Sequence, residues 1–195
     1  MNVHFKHSFL NKLLYLFIGA FITGVFTYFL NIKLLEQKNI YEKKAEKQAV
    51  VLDLSQQLNQ RIYNAEVFFW DIYYDARKET IMDSWARYKK ITISWNEKLQ
   101  SNYVILDILF PAPKYTIDKY SYTLKSNLSF RDYLKNEMQI NLISIHNRLI
   151  EFKKIINKDE KIDPQILGEF KTDIEKLHVK IANYIDTLAK AVTGK

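Results

Sequence analysis

No glycine or proline stands between Gly24 and Pro111. A sheet-containing chain needs turn residues more often than that, whereas long helices need none inside them. The whole chain has four glycines and three prolines. The expected fold class is therefore all-α.

Within this helical frame one segment is apolar throughout. "LLYLFIGAFITGVFTYFL", Leu13 to Leu30, carries no charge. At the helical rise it spans roughly 27 Å, close to the thickness of a bilayer core. Tyr15 and Tyr28 lie near its ends, where amphipathic rings favour the interface, and Lys12 and Lys33 flank it. The run is too long for a cleaved signal peptide, and no small-x-small cleavage site follows it. The expectation is a retained transmembrane helix, a signal anchor in a single-pass inner-membrane protein, with lipid as its first partner.

Gly19, Ala20, Thr23, Gly24 and Thr27 place small residues four apart along this segment. Small side chains let helix backbones approach in lipid. They mark an expected self-association face and a homo-oligomer. Lys33, Lys38, Lys43 and Lys44 follow the span, against Lys6 and Lys12 before it. The positive-inside rule then leans the C-terminal domain towards the cytoplasm. A long domain translocates largely regardless of charge, which leaves the periplasm open.

After the anchor, apolar spacing divides the chain into four helical stretches. The expected organisation is a polar tail over 1–12, the transmembrane helix over 13–30, a helical stalk over 31–48 and a four-helix bundle over 49–195. The stalk, polar on most faces, is expected to lift the bundle off the membrane. The bundle helices are expected near 49–77, 80–110, 129–157 and 164–192. Thr80 with Asp83 offers an N-cap for the second helix, and Ser129 with Asp132 a capping box for the third. Asp163 followed by Pro164 reads as N-cap and first helical position. Matched lengths and short connections imply an up-down-up-down bundle. The alternative is packing of the same stripes between chains as a coiled coil.

The second stripe runs through Trp85, Tyr88, Thr92, Trp95, Leu99 and Asn102 in alternating steps of three and four. Asn102 is a polar register point on that seam. Beyond it, Val104 to Phe110 is apolar on nearly all faces, the pattern of a helix end buried all round or facing lipid. Ile108 and Phe110, with Tyr115, Tyr120 and Tyr122 of the following linker, are candidate lipid or partner contacts. Phe68, Trp70 and Tyr74 are a second candidate contact set, because tryptophan and tyrosine dominate interaction hot spots and these three lie off the apolar stripe.

Charge and cysteine content narrow the function classes. The net charge is +7, from 29 basic and 22 acidic residues. The two signs are interleaved rather than blocked, so nucleic acid is not the expected partner. With no cysteine, thiolate catalysis, disulfides and Cys-type metal sites are excluded. A di-iron bundle needs two Glu-x-x-His pairs, and only Glu175 with His178 is present. No Arg precedes a His at the four-to-six spacing of helical ribonucleases. Phosphate loops and serine-nucleophile motifs are absent. No catalytic residue, cofactor or metal is expected. The expected role is a membrane-anchored, non-enzymatic interaction or scaffold module that self-associates, its protein partner unidentified. The alternatives are an oligomeric membrane effector or pore-type accessory protein, and a periplasmic ligand-sensing bundle. The overall plan resembles that of bacterial signal-anchored proteins with one helical bundle. Receptor sensor domains share it, as do membrane accessory proteins of phage-defence systems. No motif of either family is present, so no residue roles carry over.

Overall fold

The computed structural model describes residues 3–111 and 128–193, with side chains from Phe21 onward apart from Ile22. The described residues are helical with no strand between them: α1 is Val3–Tyr73, α2 Lys78–Leu109, α3 Phe130–Tyr133, α4 Gln139–Asn157 and α5 Pro164–Thr193. A π-helical turn, Leu134–Met138, joins α3 to α4 without a break. Two compact units share the chain, residues 1–46 and 47–195.

In the first unit the described side chains are almost all exposed, Phe21, Phe26, Tyr28, Phe29, Leu34 and Leu35 among them. No heavy atom beyond the local helix backbone lies within 4 Å of a Cβ built at Gly24. Among the described residues no helix is long and apolar enough to cross a membrane. Of the apolar run Leu13–Leu30, residues 13–20 and 22 lie outside the described side chains, and Gly19 and Ala20 are among them. Thr23, Gly24 and Thr27 are exposed.

The second unit is built around one apolar core to which residues 51–69 of α1 and all the later helices contribute. Its helix ends follow from local chemistry. Ser129 Oγ accepts from the Asp132 amide at 3.1 Å and donates to the Asp132 carboxylate at 2.7 Å, an N-cap tied further by its two side chains. Asp163 Oδ1 accepts from the Gln165 amide at 2.8 Å, with Pro164 opening α5. The Phe110 amide still bonds to Leu106 O at 2.9 Å, and Pro111 follows.

Both chain reversals resolved in this unit use the same motif. After α1 the Asp75 amide bonds to Ile72 O and the Ala76 amide to Asp71 O. After α4 the Asp159 amide bonds to Ile156 O and the Glu160 amide to Ile155 O. These are Schellman caps, whose C′ residue takes the left-handed conformation that favours glycine. Here aspartate occupies both positions, with φ of 54° at Asp75 and 57° at Asp159. A residue with a Cβ pays roughly 1 kcal/mol there relative to glycine.

The structure departs from the sequence reading at three points. The first reversal lies at Tyr74–Arg77, and α2 starts at Lys78 with Arg77 as N-cap and no side-chain cap bond. Thr80 is inside the helix rather than capping it, because the Schellman cap has already turned the chain. Of the two readings of the end of α2, burial all round does not hold: Tyr103, Leu106 and Phe110 are buried, while Val104 and Ile108 are exposed. Finally, α1 has a wide buried face rather than one stripe, because it has neighbours on two sides. Phe68 packs on Trp85 of α2 at 5.2 Å and Phe69 on Phe170 of α5 at 5.3 Å.

The π turn has a readable origin. Leu134, Met138 and Leu142 are all buried. Steps of four overshoot the 3.6-residue period, so a regular helix would rotate this series off the core. The i→i+5 turn adds a residue at that point and keeps all three facing inward.

Candidate functional site

The core of the second unit holds a polar cluster. Arg61 of α1 is only 2% exposed, and its Nε and Nη1 atoms have no hydrogen-bond partner. Among the described residues no carboxylate answers its charge: burial acts against it, and the Tyr88 hydroxyl, to which it is hydrogen-bonded, acts for it. Burial pushes the Arg61 pKa down from its ordinary value, partly offset by Tyr88. Its guanidinium lies over the Trp95 ring, 5.6 Å from the centroid. Among the described residues that cation–π contact is the other compensation.

The cluster continues outward along α2 and α4. Tyr88 Oη lies 3.1 Å from His146 Nδ1. Burial raises the Tyr88 pKa, so the phenol stays protonated, and it can donate to His146 while accepting from Arg61. Trp85 stacks on the His146 ring at 6.4 Å and 12°. Trp95 Nε1 donates to Gln139 Oε1 at 2.9 Å, directly after the π turn. Burial, and then the Arg61 charge, lower the His146 pKa. The imidazole is thus held neutral beside a cation. Nothing in this set provides a paired nucleophile and base; its chemistry is that of a buried, under-compensated charge.

The pH consequence has a definite sign. The folded chain resists protonating His146, while the unfolded chain takes a proton near the ordinary value of about 6.5. Stability from this group is complete above that value and declines as pH falls through it towards the folded pKa. Urea midpoints measured across this range should fall more steeply in the native chain than in His146→Gln, which keeps an acceptor for Tyr88. Parallel curves would refute the assignment. The ring is partly exposed, so solvent screening keeps the difference modest.

The residues expected from sequence have separate fates. Phe68 is 0% exposed and Phe110 1% exposed, so both are core residues and neither offers a contact surface. Phe110 packs edge-on against Phe130 at 5.6 Å with Lys47 above its ring. Trp70 is half-buried and Tyr74 is 73% exposed. They stack at 5.5 Å, and Tyr73 stands perpendicular to both. Lys171 lies over Trp70 at 5.6 Å. Ile108 is exposed. Tyr115, Tyr120 and Tyr122 lie outside the described residues. Asn102 is buried and donates to Gln57 Oε1 of α1 at 3.1 Å, while Gln57 donates to Asp53 at 2.7 Å. A polar tie of this kind fixes the register of α2 on α1.

Arg61 was invisible to a reading that assigns charges to solvent. Its spacing did carry a signal, since it stands three residues after Leu58 and seven before Phe68, on the buried face. Among the described residues no group of three or more potential ligands is placed to hold a metal. Comparison with protein-family models, curated proteins and solved structures returns no match.

Proposed function

We propose that the chain is a membrane-tethered, non-enzymatic interaction module that self-associates through its N-terminal helix. One observation carries the reading: the run Leu13–Leu30 carries no charge, and within it Phe21, Phe26, Tyr28 and Phe29 are exposed on the helix surface. Water does not favour so much contiguous apolar surface, and lipid does. The open space at Gly24 fits close approach of a second helix, and the sequence spacing of Gly19, Ala20, Thr23 and Thr27 extends the same small-residue pattern. In this reading residues 49–195 form an up-down-up-down bundle, which polar contacts between neighbouring helices support: the hydrogen bond between Glu66 and His178, and the ion pair of Arg148 with Asp173. The aromatic corner of Trp70, Tyr73 and Tyr74 is its partner-facing surface. In this reading the lysines after Leu30 lean the bundle towards the cytoplasmic side, with the periplasmic side as the alternative.

The test is direct. The full chain should float with liposomes and resist a carbonate wash. Arginine at the helix centre costs about 3 kcal/mol per residue, so Phe21→Arg with Val25→Arg should release it. Thr23→Cys and Thr27→Cys chains should crosslink as dimers in membranes, and Gly24→Leu should abolish the crosslink. A chain that washes off with carbonate, or whose crosslinking ignores Gly24→Leu, contradicts the proposal.

A further inference from the structure

The two Schellman reversals meet at one end of the second unit and enclose a cleft of about 430 Å³. That volume suits a single small ligand. Its floor is aliphatic: Ile72, Ile81, Ile156, Ile162 and Leu167. One wall is Tyr73, which belongs to the exposed aromatic corner with Trp70 and Tyr74. The rim holds three carboxylates, Asp75, Asp159 and Glu160, against two ammonium groups, Lys78 and Lys161. In a chain of net charge +7 this acidic excess is a local reversal.

The rim charges are not equivalent. Lys78 Nζ is committed to Asp159 at 2.6 Å. Among the described residues the Asp75 carboxylate has no ion-pair or hydrogen-bond partner. Asp75 and Asp159 also occupy the two left-handed positions where glycine would sit without strain. Both reversals thus carry a carboxylate at the cleft, at left-handed positions where aspartate is one of the few residues with a side chain that is tolerated. The same corner already takes an ammonium over an aromatic face, in Lys171 above Trp70.

We propose that this cleft binds a small amphiphilic organic cation, an alkylammonium whose chain lies on the isoleucine floor and whose charged head sits between Asp75 and the Tyr73 ring. An aliphatic floor discriminates poorly by itself, whereas the acidic rim selects the sign of the head group. Neither the membrane helix nor its self-association takes part, so the cleft stands or falls independently of the tether.

Butylammonium and butanoate are matched probes, short enough to partition little into micelles. They are titrated into the full chain in zwitterionic detergent with isoleucine δ1 methyls labelled. Butylammonium should shift the methyls of Ile72 and Ile162 but not that of Ile93, and butanoate at equal concentration should shift none. Asp75→Gly removes the carboxylate and relieves the left-handed strain, so it should leave the thermal midpoint unchanged or raised. It should weaken butylammonium by about fivefold, the size of one exposed charge contact. The proposal is overturned if butylammonium shifts no cleft methyl, if butanoate shifts them equally, or if Asp75→Gly binds as the native chain does.

Discussion

Replacing Arg61 with methionine should stabilise the packed helices by about 2 kcal/mol, read as a higher urea midpoint at unchanged slope. The argument is one of opposing terms. Arg61 is fully buried, and two of its nitrogens have no partner. Desolvating a cation costs several kcal/mol even after relaxation. Against this stand one hydrogen bond to a neutral phenol and one ring face. Those contribute roughly 1 to 3 kcal/mol together. Methionine fills a similar space without the charge, and Tyr88 keeps His146 as its partner. The substitution should also raise the His146 pKa, because the neighbouring charge that lowers it is gone. A loss of more than about 1 kcal/mol would show that the Tyr88 and Trp95 contacts outweigh desolvation. Native-state hydrogen exchange of α1 and α2 should slow in Arg61→Met.

What could be read from the sequence was what depends on near neighbours along the chain. Ser129 with Asp132, Asp163 with Pro164, and Pro111 each act within a few residues, and each lies at a helix end in the structure. The core positions at heptad-like spacing were legible for the same reason. The first reversal was displaced because its Schellman cap uses aspartate instead of glycine, while Thr80 offered a plausible cap that the chain does not use. Phe68 was misassigned because one stripe describes a helix with one neighbour, and α1 has two. Long-range pairings had no local signature. Asn102 was recognisable as a polar point on a seam, but its partner Gln57 lies 45 residues away. The cleft is less legible still, since Ile72 and Ile162 become neighbours only when both reversals form.

Trp95→Ala should be the most damaging single change at the cluster, costing about 4 kcal/mol. Trp95 is a core side chain of α2 that is also tied to two other helices: its ring lies under Arg61 of α1, and its Nε1 bonds to Gln139 of α4. Truncation opens a cavity, removes the ring from the guanidinium and leaves Gln139 without its donor. Trp95→Phe separates these contributions. It keeps a ring beneath Arg61 and loses the indole N–H, so a smaller loss of roughly 1 to 2 kcal/mol is expected. The two sites should also be coupled. In the Trp95→Ala background the cavity beside Arg61 admits water to its unpaired nitrogens, so Arg61→Met gains less there than in the native chain. A double-mutant cycle should return a coupling of about 1 kcal/mol. Strict additivity would mean that Arg61 is already solvated by another route, and the gain expected for Arg61→Met would then fail with it.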